Sequence, residues 1–184
     1  MIEVEHKRHT DLSAETVWEE VRHYDRVLNW IPRGDESRIT VKGEGIGMIR
    51  DIELATQGYV QHRLVAFDND KRMFSYTLTA GKPIGMQDYT VVATVSPIDD
   101  HHCTIHWAGK MTADNKLNES EIGQALEVAL GNMTTGIIAL LKGETPRFTE
   151  QPNEDWQLQP TPSATPAFSC DTYYKGGSPW LHTH

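Results

Sequence analysis

Residues 59–78 read YVQHRLVAFDNDKRMFSYTL. Two runs rich in β-branched and aromatic residues flank Asp68, Asn69 and Asp70, all good turn formers, so the stretch is expected to fold as a hairpin. Alternate residues of a strand face the same side. That rule groups Val60, Leu64 and Ala66 with His62, and Phe74, Leu78 and Ala80 with Tyr76. Each mostly apolar face thus carries one titratable or hydrogen-bonding group, and the fold must say why.

Working outward, residues 1–9 alternate, with Ile2, Val4 and His6 opposing Glu3, Glu5 and Lys7, which reads as a strand with one buried face. In LSAETVWEEV, Ser13 is a good N-cap, and Leu12 with Val17 has the spacing of a hydrophobic staple, so a helix is expected over 14–23. YDRVLNWIP continues as a short helical piece that Pro32 stops. Strands are then expected at 37–43, 48–55, 59–67, 72–80, 87–96 and 103–111, with the Gly-rich GEGIG after the first of these. Their short connections imply antiparallel pairing. A long helix follows: Asn118 and Glu121 sit at capping-box spacing, and Ile122, Leu126, Leu130, Met133, Ile137 and Leu141 form an apolar stripe. Gly123, Gly131 and Gly136 interrupt it, each at about 1 kcal/mol relative to alanine. They either let the helix backbone pack closely on the sheet or leave volume for a ligand, and both readings stand. The whole is an α+β layout, a seven-stranded antiparallel sheet with helices on one side, and the gap between a twisted sheet and a long helix suits a small-molecule site.

The chain has 184 residues, 38% hydrophobic and 23% charged, which suits one soluble domain with an appendage. A formal net charge of -9 and the lack of a Lys/Arg run argue against nucleic acid as a partner. Cys103 and Cys170 belong to no CxxC, the N-terminus has no apolar signal region, and no apolar run reaches the roughly 18 residues of a membrane span. A cytoplasmic location is therefore expected, and a homodimer is compatible with the sequence. From about Thr145 the composition changes. The last 40 residues hold six prolines and no Val or Ile, too little apolar surface to fold alone. Residues 1–143 are accordingly read as the domain. Residues 144–184 are read as an extended strap or a poorly ordered tail, with Trp156, Phe168, Tyr173, Tyr174 and Trp180 as anchors for a strap.

Five ordered pieces, SAETVWEEVRHYDRVLNWIP, GEGIGMIRDIEL, VQHRLVAFDNDKRMFSYTL, QDYTVVATVSP and CTIHWAGKM, resemble the START-like, or Bet v 1-like (SRPBCC), superfamily in its polyketide cyclase/dehydrase branch. The resemblance covers residues 1 to about 143. It implies the helix-grip fold, a curved seven-stranded sheet around the C-terminal helix enclosing a hydrophobic cavity. It is a poor guide to activity, because the superfamily hosts cyclases, lyases, lipid carriers, hormone receptors and chaperone cofactors. RLVAFDNDKRMFSY and DYTVVATV also resemble strands of plant abscisic-acid receptors, but ATQGY and AGKPIGMQDY stand where those receptors carry their gate and latch motifs.

If the alternating faces line such a cavity, it contains Arg50 with Ile52 and Leu54, His62 with Leu64, Tyr76 with Leu78, Tyr89 with Val91, and Trp107 as a wall, with Met133 from the helix. Asp51, Glu53 and Asp88 fall on the other parity. A buried arginine needs a partner. Either a carboxylate from the first helix, the tail or a loop provides it, or a ligand anion or enolate does. Histidine can take or return a proton near neutrality, and tyrosine hydroxyls can polarise a carbonyl. The catalytic candidates are therefore His62 as base or proton shuttle, Arg50 as anchor, and Tyr76 and Tyr89 as acid and orienting donors. Ile52, Leu54, Leu64, Leu78, Val91, Trp107 and Met133 are the candidates for substrate contact. No cofactor or metal is called for: His101-His102 sits in a turn, His182-x-His184 at the terminus, and no HExxH, Walker loop or nucleophile elbow occurs. The expected function is cofactor-free cyclisation, dehydration or a related lyase step on a hydrophobic, oxygen-rich metabolite. A non-catalytic carrier or sensor and a protein-interaction module are the rivals.

Overall fold

The computed structural model describes residues 1–113 and 119–151. Seven strands, β1 (Ile2–Thr10), β2 (Arg38–Lys42), β3 (Ile49–Leu54), β4 (Gly58–Asp68), β5 (Met73–Gly81), β6 (Met86–Pro97) and β7 (Cys103–Ala113), form one sheet in the order β1-β7-β6-β5-β4-β3-β2. Every neighbouring pair is antiparallel. The sheet is curved, and its concave side holds two helices, α1 (Ala14–Val21) and α2 (Glu119–Lys142), with a 3-10 segment over Tyr24–Trp30. Two further short 3-10 turns lie at Gly34–Glu36 and Pro83–Gly85.

The expected hairpin is β4–β5, and its Asp-Asn-Asp turn is tied to α1 by the Trp18 indole, whose Nε1 donates to Asn69 Oδ1 at 2.9 Å. Two bulges interrupt its register. Val65 is the first extra residue, so Phe67 rather than Ala66 packs on the core, 5.7 Å from the Trp18 ring. Thr79 is the second, which puts Ala80 opposite Gln61 on the outer face. One unpaired residue reverses parity beyond it, so the inward assignments of Ala66 and Ala80 are corrected while those of Val60, His62, Leu64, Phe74, Tyr76 and Leu78 stand.

Ser13 caps α1 as expected, its Oγ accepting from Thr16 N at 3.1 Å. The helix ends at Val21, two residues earlier than the spacing suggested, because the chain turns at Arg22 and His23 into the 3-10 segment. Trp30 is anchored there by its indole Nε1–H, which donates to Glu20 Oε1 at 2.9 Å.

By length and composition α2 could cross a membrane, but half of its apolar window is buried against the sheet, as in the core helix of a folded domain. Its expected cap Asn118, like Cys170, the tail aromatics and the terminal histidines, lies outside the described residues. The three helix glycines serve packing. A Cβ at Gly136 would lie 2.1 Å from the backbone oxygen of Trp30, so helix and 3-10 segment touch backbone to backbone. At Gly131 it would meet the His6 ring at 3.2 Å, and at Gly123 the Ile2 side chain at 3.4 Å.

These contacts separate two otherwise identical substitutions. Gly136→Ala forces backbone apart and should destabilise by about 2 kcal/mol net, overpacking outweighing the helix-propensity gain. Gly131→Ala meets a ring that can rotate and should be neutral or mildly stabilising. Urea denaturation midpoints compare them directly, and equal midpoints for the two variants would refute the backbone contact.

Candidate functional site

Between the sheet and α2 lies a cavity of about 330 Å³, near the lower end of the roughly 300–1,000 Å³ range of small-molecule sites. Its floor is the inward face of β3 to β6, through Arg50, Ile52, Leu54, Val60, His62, Tyr76 and Tyr89. Its roof is α2, through Leu126, Leu130, Asn132 and Met133, and its mouth is framed by Pro32, Arg33, Thr56, Gln57 and residues 148–151.

Four polar side chains meet on the floor, and strand register brings them there. Arg50 of β3 stands directly opposite His62 of β4, and Tyr76 of β5 opposite Leu64. All four are buried, Arg50 to 1% exposure. The Arg50 Nε–H donates to His62 Nδ1 at 3.1 Å, and its Nη1 donates to the Tyr24 carbonyl at 2.7 Å. The guanidinium lies 3.8 Å from the centroid of the Tyr24 ring and 4.8 Å from that of Tyr76. The other imidazole nitrogen, His62 Nε2, is hydrogen-bonded to the Tyr89 hydroxyl. The His62 and Tyr76 rings are 4.9 Å apart, and those of Tyr76 and Tyr89 6.1 Å.

Of the partners left open for Arg50, a protein carboxylate is excluded among the described residues, where it makes no ion pair. Asp51 points outward, binding Lys42, Tyr59 and Gln61. The only carboxylate on the described lining is that of Glu150, at the exposed mouth.

These contacts fix the protonation states. Arginine only donates, so His62 Nδ1 is an acceptor, the neutral ring carries its proton on Nε2, and Nε2–H donates to the Tyr89 oxygen. Burial, then the adjacent Arg50 charge, holds the His62 pKa well below its usual 6.5. Burial raises Tyr89 well above the phenol range, with Tyr76 adding to this and Arg50 opposing it. Tyr76 is raised by burial and partly offset by Arg50. The result is a cation, a neutral imidazole and two neutral phenols, which leaves the Tyr89 hydroxyl hydrogen free to be offered to the cavity. The set donates hydrogen bonds, and nothing on the floor stands ready to abstract a proton.

The structure brings Arg50, His62, Tyr76, Tyr89, Ile52, Leu54 and Met133 onto the lining. It corrects four expected wall residues. Trp107, Leu64, Leu78 and Val91 are buried in the core and are not part of the lining. Inward parity is necessary for a cavity residue but insufficient, because packed side chains and the helices cover the remainder of the concave face. The Trp107 Nε1–H donates to Thr134 Oγ1 of α2 at 2.9 Å, and its ring meets Phe74 edge-on. His6 lies under Gly131, away from the lining. Sequence reasoning missed Tyr24, which roofs Arg50 from a 3-10 segment with no clean periodicity, and Asn132, a polar residue beside Met133 in an apolar helix. The second was a readable signal.

A sequence model of the family described as polyketide cyclase/dehydrase and lipid transport matches residues 1–142. No curated protein matches the chain. Among solved structures, an uncharacterised protein from Bacillus thuringiensis superposes with a TM-score of 0.62 at 18% identity, covering 77% of this chain and 98% of its own. A protein from Thermobifida fusca gives 0.60 at 22%, covering 81% and 100%. Norcoclaurine synthase from Thalictrum flavum, in complex with dopamine and hydroxybenzaldehyde, gives 0.57 at 15%, covering 79% and 89%. At such identities these likenesses establish the helix-grip, Bet v 1-like fold. With the match spanning the domain from its first residue to the end of α2, the chain belongs to the polyketide cyclase/dehydrase and lipid transport family.

Proposed function

We propose that the cavity binds a hydrophobic, oxygen-rich small molecule of polyketide-like or aromatic type and that the protein catalyses a cofactor-free cyclisation, dehydration or related lyase step on it. The observation that carries this reading is the Arg50–His62–Tyr89 chain, a buried cation relayed through a neutral imidazole to a phenol on the cavity floor. Arg50 and the two phenols stabilise negative charge on a substrate oxygen as an enolate or alkoxide develops, in a low-dielectric site where such donors act strongly. His62, expected from sequence to be a general base, takes a different part here. Its Nδ1 lone pair is engaged by Arg50, so it serves as the bridge that orients Tyr89, directing Nε2–H at the phenol oxygen and leaving the hydroxyl hydrogen for the substrate. The proton leaving the substrate carbon passes to water at the mouth or to Glu150, the carboxylate on the described lining. A carrier or sensor is the second reading, and the same scarcity of a base on the floor favours it. There Arg50 pairs with the acidic head of an otherwise apolar ligand.

Native mass spectrometry of the purified protein, followed by incubation with the identified molecule, tests the reading. A ligand released chemically changed upholds the enzyme. One released unchanged transfers the assignment to a carrier.

His62 variants separate base from bridge. Its substitution by alanine should lower turnover ~10²-fold under either role. The glutamine side chain introduced by His62→Gln can still accept from Arg50 and donate to Tyr89, so this variant should restore most of the loss. A glutamine variant as slow as the alanine one would return His62 to the role of base.

The same geometry sets a pH dependence of stability. The folded pKa of His62 lies below its unfolded value near 6.5. On acidification below that value the unfolded chain therefore takes up a proton that the folded site refuses, and stability falls. Between about pH 7.5 and about pH 5.5 the wild type should lose about 1 kcal/mol more than His62→Gln in urea titrations. Parallel losses in the two proteins would mean that the buried imidazole is not neutral.

A further inference from the structure

The family match ends at residue 142 and α2 ends at Lys142, yet Phe148, Thr149, Glu150 and Gln151 line the cavity. One side chain holds them there. Asn132, on the cavity side of α2 and 2% exposed, spends both ends of its amide on the backbone of Thr149. Its Nδ2–H donates to the Thr149 carbonyl at 2.8 Å, and its Oδ1 accepts from the Thr149 N–H at 2.8 Å. This reproduces with a side chain the paired exchange of a β-bridge. Among the described residues these are the hydrogen bonds that hold 145–151, whose chain otherwise runs extended and largely exposed past the mouth.

The other walls differ in kind. Strands β3 to β6 are knit to their neighbours by multi-residue ladders, and α2 is packed on the sheet and on the Tyr24–Trp30 segment. Among the described residues the 148–151 wall is held by one bidentate contact, and local opening follows the weakest-held segment. It is also the wall that contributes the Glu150 carboxylate and the apolar ring of Phe148 to an otherwise donor-rich site. Gln151 adds a buried Oε1 that has no hydrogen-bond partner among the described residues.

From this we infer that residues 148–151 are a ligand-contacting wall of the site and that Asn132 is the residue that positions it, acting through the backbone of Thr149. The inference rests on the reading that the cavity holds a ligand. Widening the mouth on this side requires the two Asn132–Thr149 bonds to break, so the clasp slows ligand release and lengthens residence time.

Stopped-flow fluorescence with anilinonaphthalene sulfonate, an anionic apolar dye suited to Arg50, tests this on the full chain. Asn132→Leu removes both bonds and should speed dye release ~10-fold, the effect of losing two modest hydrogen bonds. From the other side, Thr149→Pro is measured against Thr149→Ala. Both lose the hydroxyl, but only proline loses the N–H that Asn132 accepts, so the proline variant should release faster. If Asn132→Leu fails to fold, the Thr149 pair decides alone. Release from the proline variant no faster than from the alanine variant overturns the clasp. Ala129→Trp, which fills the cavity from α2, should abolish binding. Dye binding unaffected by that substitution would show the dye elsewhere and overturn the ligand reading itself, an outcome distinct from failure of the clasp.

Discussion

The centre of this protein is arranged around one buried guanidinium that has no carboxylate partner among the described residues. An isolated cation in a low-dielectric interior is costly, and Arg50 is 1% exposed. It is solvated by dipoles instead: the Tyr24 carbonyl, the His62 nitrogen, and the faces of the Tyr24 and Tyr76 rings. Each is weaker than an ion pair but none cancels the charge, so the site keeps a positive potential. A salt bridge would have quenched it. Burial, reinforced by this charge, keeps His62 neutral, and the Arg50 Nε–H fixes its tautomer so that Nε2–H is directed at the Tyr89 oxygen.

The fold makes this arrangement inexpensive to build. Arg50 and His62 are cross-strand partners of β3 and β4, so the same ladder that forms the sheet sets their contact. Tyr76 and Tyr89 follow on the next two strands, and the 3-10 segment lays Tyr24 over the group. Close contact between that segment and α2 at Gly136 keeps the roof near the floor. The polar cluster is thus held by backbone elements rather than loops, which suits preorganised electrostatics.

Alternation along the strands was enough to read the seven-stranded sheet and to place Arg50, His62, Tyr76 and Tyr89 on one side of it, because a half-buried strand has a strict period of two. It failed where that period breaks or where a second layer decides. The extra residues Val65 and Thr79 reversed Ala66 and Ala80. Trp107, Leu64, Leu78 and Val91 point inward as read but are covered by packed neighbours, and strand pattern carries no information about what lies above a face. Tyr24 escaped because a 3-10 segment has no long apolar rhythm, and the Asn132–Thr149 contact because it joins positions 17 residues apart. The polar asparagine in an apolar stripe was visible, but its partner was not.

The cavity's polarity is graded from floor to mouth, and the grading bears on what it holds. The Arg50 cation and its neighbouring donors sit deep, apolar side chains of β3, β4 and α2 surround the middle, and the rim carries both the Glu150 carboxylate and Arg33, which is paired with Glu36. A ligand that fits this gradient enters with an oxygen-bearing end leading and an apolar body behind. The deep donors belong to the family domain, which ends at residue 142, whereas the rim carboxylate lies outside it. The chain thus assembles its cavity from two sources, a sheet that carries the deep donors and a short segment beyond the family domain that forms part of the mouth. Changes in residues 148–151 can alter the mouth without disturbing the Arg50–His62–Tyr89 chain, because the segment meets the domain through a backbone contact and not through the polar cluster.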